Sequence, residues 1–182
     1  MKTHHGRVRR LGDDINTDYI ISSARKKETL DEQMLKQYLL ESLNPAFARS
    51  VTPGDVLVAG KNFGCGSAME VAATVILAAG IPAVIAKSFA RSFYRNAINN
   101  GLVPVECDTD HLGEGDGVSM TFDESGVVVM NERTGWTQMR PALGGIAGAI
   151  LDAGGLVPYL RREGRFVLGR ERAESIRVDP SP

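Results

Sequence analysis

Three glycines, Gly60, Gly64 and Gly66, fall in the segment Gly60-Lys61-Asn62-Phe63-Gly64-Cys65-Gly66-Ser67. Glycine has no Cβ, so its backbone can approach a ligand closely and take conformations closed to other residues. The segment links an apolar run, residues 56–59, to a longer one, residues 67–79, that is apolar nearly all round. Between a parallel strand and a helix start, such a loop offers an anion free N–H groups and the positive end of the helix dipole. Gly66 brings the backbone to that anion, and Ser67 presents an oxygen beside it. Ser67 reads in two ways. Ser67-Ala68-Met69-Glu70 fits a capping box, in which the serine only caps the helix. The other reading is a base whose alkoxide is stabilised by its surroundings. No histidine stands near it in sequence to take its proton.

Two groups of cations could face such an anion. Lys87, Arg91 and Arg95 are spaced four apart, either one solvated face or a carboxylate-binding wall. Arg25, Lys26 and Lys27 are adjacent in a polar stretch. Lys61 sits in the glycine loop itself. Nucleotide chemistry fits less well. Gly64-Cys65-Gly66 begins a dinucleotide fingerprint, but Met69 holds the place of the third glycine and no Gly-Lys-Ser/Thr follows. Cys65 and Cys107 are too few for an iron–sulfur cluster, which usually takes four thiolates, and read as a buried reduced pair of a cytosolic protein. With His4, His5 and His111 the only histidines, neither a zinc site nor a histidine triad is expected.

The elements that must position these groups form an alternating pattern. Strands are predicted at 56–59, 83–86 and 102–106, with helices at 67–79 and 89–99 between them. Gly80 and Gly101 stop the helices. This βαβαβ order predicts an α/β fold with a parallel sheet. Residues 117–122 and 126–130 read as an added β pair. Earlier in the chain, 19–21 reads as a short strand, 22–28 as a polar loop, and Thr29-Leu30-Asp31-Glu32 as a capping box opening an amphipathic helix through Leu30, Met34, Leu35, Tyr38 and Leu39. A helix is predicted at 142–153.

The chain has 182 residues, with 21 Lys plus Arg against 22 Asp plus Glu, a net charge of −1. That suits one domain, residues 1–165, with a polar tail at 166–182. It gives no electrostatic footprint for nucleic acid. The longest apolar stretch, residues 71–79, is far short of the roughly 20 residues that span a bilayer, and the polar start carries no signal-peptide pattern. A cytoplasmic protein is expected.

Several motifs, in order over residues 6–162, resemble one known family. They are Gly12-Asp13-Asp14-Ile15-Asn16-Thr17-Asp18-Tyr19-Ile20-Ile21, Pro53-Gly54-Asp55, Asn62-Phe63-Gly64-Cys65-Gly66-Ser67 and Ala86-Lys87-Ser88-Phe89-Ala90-Arg91. Phe93-Tyr94-Arg95-Asn96-Ala97-Ile98-Asn99-Asn100-Gly101-Leu102 and Ala153-Gly154-Gly155-Leu156 complete the set. The pattern is similar to the small subunits of 3-isopropylmalate dehydratase, a swivelling β/β/α domain of the aconitase superfamily. The resemblance implies a hydro-lyase of leucine biosynthesis that isomerises a hydroxy di- or tricarboxylate by dehydration and rehydration. It implies no cofactor on this chain and a [4Fe–4S] cluster in a large-subunit partner, assembled as a heterodimer or heterotetramer. It implies that Ser67 is the catalytic base. Gly66, Lys61, Arg91 and the Arg25–Lys27 cations become candidate substrate contacts. Two positions depart from the family. Met69 stands where an arginine is usual, and Ser22-Ser23-Ala24-Arg25-Lys26-Lys27 replaces a Pro-x-Arg-Tyr-Leu segment whose neighbours help choose the substrate. Homoaconitase-, methylmalate- and dimethylmalate-type substrates stay open on that account. A non-catalytic anion- or nucleotide-binding module is the reading of another class.

Overall fold

The computed structural model describes residues 2–166. Their strands form one seven-stranded sheet in the order β4-β3-β2-β1-β5-β6-β7. Its first half is parallel: β1 (Lys2–Arg10), β2 (Val56–Ala59), β3 (Ala83–Ala86) and β4 (Val103–Glu106). Its second half, β5 (Gly117–Asp123), β6 (Gly126–Asn131) and β7 (Thr137–Pro141), is antiparallel to β1 and within itself.

Side-chain alternation along the strands sets the layers. Leu57 and Ala59 of β2, with Val84 and Ala86 of β3, enter one core. There they meet Ile20 of α1 (Thr17–Ile20), Leu35 of α3 (Glu32–Leu35), Ala72, Ala73, Val75 and Ile76 of α5 (Val71–Ala78), and Phe93 and Ala97 of α6 (Arg91–Asn100). Val56, Val58, Ala83 and Ile85 point the other way, onto Val118 and Met120 of β5 and Val127 and Val129 of β6. The antiparallel half therefore folds over the face of the parallel half that the helices leave free. The result is β on β on α, as the family resemblance implies. The Asp108 N–H beyond β4 donates to Gln138 Oε1 of β7 at 2.8 Å, tying the two sheet edges together. A third core joins Ile98 of α6 to Ala149 and Ile150 of α7 (Gly145–Asp152) and Tyr159 of α8 (Leu156–Glu163).

The parallel half has one buried ion cluster. Asp55, before β2, accepts from Arg7 at 3.0 Å, from Arg9 at 3.3 Å and from the Thr52 N–H at 3.0 Å. Burial alone would raise its pKa, but these donors hold it below the ordinary carboxylate value. Arg9 also lies over the Phe47 ring, 4.7 Å from its centroid.

Several expectations change. Residues 19–21 do not form a strand, because Asn16 caps a helical turn: its side chain accepts from the Asp18 N–H at 2.8 Å. Residues 23–28 are the helix α2 (Ser23–Glu28) rather than a loop, capped by Ser22. The expected long helix from Thr29 is a short α3 capped by Asp31, followed by a 3₁₀ turn at Lys36–Tyr38. Leu35 and Leu39 of its stripe are buried, while Leu30 and Met34 are exposed. β1, β7 and α8 are not read from the sequence. No helix among the described residues is long and apolar enough to cross a membrane. Apart from Phe166, the polar tail expected at 166–182 lies outside the described residues.

Candidate active site

The C-terminal ends of the parallel strands carry four loops on one side of the sheet, where open α/β sheets bind ligands. The glycine loop is stitched to a neighbour on either side. Toward the loop after β1, Gly60 N–H donates to Gly12 O, Asp14 N–H to Lys61 O, Gly64 N–H to Ile15 O and Thr17 N–H to Cys65 O, all at 2.8–3.0 Å. Asp13 adds a side-chain contact, its Oδ1 accepting from Lys61 N–H at 2.7 Å. Toward the loop after β3, Phe63 N–H donates to Ser88 O at 3.0 Å and Ala90 N–H to Phe63 O at 2.9 Å. The Asn62 N–H donates to Ser88 Oγ at 2.8 Å.

Two glycines in this loop are forced by geometry. Gly64 has φ +78°, and a Cβ there would lie 2.2 Å from Cγ of Phe93. Gly66 has φ +93°, and a Cβ would lie 2.6 Å from the Asn16 side chain. Both sit in the left-handed region that favours glycine. Their turn brings out Ser67, which is exposed, and Thr17 Oγ1 fixes it from behind by donating to the Ser67 carbonyl at 3.0 Å.

Ser67 is not the cap of a helix. The helix starts four residues later, at Val71, with Glu70 at its cap position and no side-chain capping bond. The turn at Gly66 carries the chain away before helical geometry begins. Among the described residues, the Ser67 hydroxyl makes no hydrogen bond within the chain, and none of the backbone N–H groups from Gly66 to Glu70 donates one. A hydroxyl and a run of unspent donors therefore lie together on an open surface before α5. That arrangement can bind a small anion or hold the oxyanion of the serine itself.

The predicted cations separate. Arg25 is consumed within the chain: it pairs with Glu41 at 2.9 Å and Glu28 at 3.4 Å and lies 3.9 Å over the Tyr38 ring. The Glu41 bond raises its pKa further, so its charge serves the packing of α2 onto the following turn. Lys26 is partly buried with its Nζ against Sδ of Met69, and Lys27 is exposed. Met69 is itself a buried member of the helical core. Lys61 is exposed on the glycine loop, and Arg91 is exposed at the first residue of α6, next to Ala90 and so beside Phe63. The Lys87-Arg91-Arg95 face does not form as one helical row. Lys87 precedes the helix and pairs with Asp110 at 2.6 Å, which raises its pKa.

The cysteines also differ from expectation. Cys107 is buried, and burial pushes its thiol up to about 12. Cys65 is only partly buried and packs beside Asn16 in the loop. Sequence reasoning missed Asp13, Asn16 and Thr17 as the residues that hold the glycine loop. Their signal was present, since Asp, Asn and Thr in a turn commonly bond to nearby backbone.

Comparisons with known proteins agree with this architecture. Residues 17–110 match the family model of the aconitase C-terminal domain. The methanogen homoaconitase small subunit of Methanocaldococcus jannaschii is 44% identical over 157 residues, covering 86% of this chain and 91% of that one. The 3-isopropylmalate dehydratase small subunit of Heliobacterium modesticaldum is 46% identical over 158 residues, 86% of this chain and 93% of that one. A crystal structure of 3-isopropylmalate dehydratase (leuD) from M. jannaschii superposes with a TM-score of 0.83 at 39% identity, covering 96% of this chain and 98% of that one. On the family match and these identities together, the chain belongs to the aconitase C-terminal domain family.

Proposed function

We propose that this chain is the small subunit of a heteromeric hydro-lyase that converts 2-isopropylmalate to 3-isopropylmalate in leucine biosynthesis, in the cytoplasm. The observation that carries the reading is Ser67: an exposed hydroxyl without an internal partner, on a glycine turn, beside unspent N–H donors from Gly66 to Glu70. In the reaction, Ser67, as its alkoxide, takes the proton from the carbon next to the substrate carboxylate and becomes the neutral hydroxyl. The neighbouring N–H groups offset the charge on its oxygen, and the same oxygen returns the proton after the intermediate has turned over. Gly66 leaves room for the substrate to approach the backbone, and its carboxylates are assigned to the exposed cations Lys27, Lys61 and Arg91.

Residues of this chain do not fit an iron–sulfur cluster. Its two cysteines lie in different settings, and among the described residues no group of three or more His, Cys, Asp or Glu could hold a metal ion. The [4Fe–4S] cluster that the family resemblance implies belongs, on this reading, to a large-subunit partner, where it would supply Lewis acidity at the substrate hydroxyl.

The test is anaerobic reconstitution with the host's large subunit, following absorbance of the unsaturated intermediate. Turnover should need both chains and fall about 10²- to 10⁴-fold in Ser67→Ala, with an unchanged melting temperature because the hydroxyl makes no internal bond. Full activity in Ser67→Ala would remove the serine from the mechanism. A homoaconitase-type substrate is the second reading, raised by the 44% identity to the M. jannaschii subunit, beside 46% to the H. modesticaldum 3-isopropylmalate dehydratase subunit. Running isopropylmalate and homoaconitate side by side separates the two.

A further inference from the structure

Thr17 makes two bonds to the glycine turn, one on either side of Gly66. Its N–H donates to the Cys65 carbonyl at 2.8 Å, and its Oγ1 donates to the Ser67 carbonyl at 3.0 Å. The residue is only 1% exposed, so water cannot replace the hydroxyl's partner, and a buried donor left without one is costly. Asn16, just before it, fills the space beside Gly66 that a Cβ would need. Both carbonyls are therefore held toward the buried side of the turn.

The peptide bonds here are trans. A trans peptide is planar, with its carbonyl and its N–H pointing in opposite directions. Holding the Cys65 carbonyl inward turns the Gly66 N–H outward. Holding the Ser67 carbonyl inward turns the Ala68 N–H outward. Gly66, Ser67 and Ala68 are all exposed, and neither N–H donates within the chain. The donors that bracket Ser67 in sequence thus face the open side, and one buried threonine aims both. We infer that Thr17 is a positioning residue of the reaction: through two carbonyls it aims the Gly66 and Ala68 N–H groups that offset charge on the Ser67 oxygen. This rests on the hydro-lyase reading and adds to it the side chain by which the buried core sets the geometry of the base.

Thr17→Val keeps the shape and the N–H bond to Cys65 and removes the hydroxyl. In the enzyme assembled with its large subunit, kcat for 3-isopropylmalate should fall about 10- to 100-fold, less than the outright loss of an oxyanion donor. KM should hold, because the donors act where charge develops. The acid limb of the kcat–pH profile should move up by about one to two units, the same fold-change read as proton affinity. Thr17→Ser keeps the hydroxyl and should recover most of kcat. A readout without turnover is amide NMR of the full chain titrated with inorganic sulfate. The Gly66 and Ala68 resonances should both shift in the wild type, and Ala68 should lose its response in Thr17→Val. Wild-type kcat in Thr17→Val overturns the inference, as does a variant in which KM alone rises. A Thr17→Ser enzyme as slow as Thr17→Val assigns the loss to packing and overturns it too. If the assembly turns over no hydroxy acid, the hydro-lyase reading falls and the sulfate titration decides alone: a response lost at Ala68 keeps the aiming role, and equal responses in both proteins overturn it. Wild-type amides that ignore sulfate overturn it whether or not Thr17→Val folds.

Discussion

Every residue of β2 and β3 is buried, whereas β7 alternates exposed and half-buried positions along its length. The bonds that close the loops differ in the same way. In the parallel half, the glycine loop is held by residues far away in sequence: Gly12, Ile15 and Thr17 on one side, Ser88 and Ala90 on the other. In the antiparallel half, the turn between β5 and β6 is closed locally, where Asp123 Oδ1 accepts from the Ser125 and Gly126 N–H groups. A locally closed turn can change without disturbing its neighbours. A loop stitched from both sides transmits a change straight to Ser67. The parallel half thus carries the candidate site and its constraints, and the antiparallel half serves as its cover.

The largest effect expected from this difference is at Gly64. Gly64→Ala puts a methyl group 2.2 Å from Phe93 Cγ while keeping φ at +78°. Left-handed strain of about 1–2 kcal/mol and overpacking of about 1–3 kcal/mol together predict a loss near 4 kcal/mol in urea unfolding. Turnover should fall with it, because Phe93 lies at the start of α6 and the displaced loop carries Ser67. A Gly64→Ala protein with unchanged stability would show that the loop is not clamped and would remove the contrast between the halves.

The contrast bears on what was legible in the sequence. The βαβαβ core could be read because its strands are short apolar runs between helices that end in Gly80 and Gly101, both with positive φ. The β pair at 117–122 and 126–130 could be read from the two runs flanking an acidic turn. Its partner β7, Thr137-Gln138-Met139-Arg140-Pro141, could not, since nothing apolar repeats there and pairing to β6 alone makes it a strand. Ser67-Ala68-Met69-Glu70 matched a capping box in residue type, but the left-handed Gly66 sets the direction of the chain and the helix waits until Val71. The glycine loop as a candidate site was visible from composition. The separation of Arg25 from Lys26 was not, because it depends on where Glu41 and Met69 end up in space.

A smaller effect should follow from the buried ion cluster of the parallel half. Asp55→Asn leaves Arg9, whose side chain is 9% exposed, without its nearest buried carboxylate. Breaking such a pair from one side should cost about 3 kcal/mol. Ser67 and its loop lie at the other end of β2, so kcat should hold at temperatures where the protein stays folded. The folded pKa of Asp55 is lowered, so its contribution is fully present above the ordinary carboxylate value of 3.8 and is lost as pH falls through the lower folded value. Acid titrations of unfolding should therefore show a wild-type decline below about pH 4 that is weaker in Asp55→Asn. Equal acid slopes in the two proteins would assign the decline elsewhere.

The smallest effect should come from the cover itself. Met139 is 56% exposed on β7, the outer strand of the sheet. Met139→Lys changes a side chain that leaves no cavity and breaks no bond within the fold, so stability should stay within about 0.5 kcal/mol. A charge on an edge strand also discourages pairing with another sheet, so aggregation on heating should fall rather than rise. Turnover in the reconstituted enzyme should not change, because Met139 is exposed and β7 is tied to the loop after β4 through the Asp108–Gln138 hydrogen bond, not through Met139. If Met139→Lys instead lowers turnover while the isolated chain melts as before, the exposed face of β7 does more than cover the core: it meets the large subunit, and the antiparallel half has a functional surface of its own.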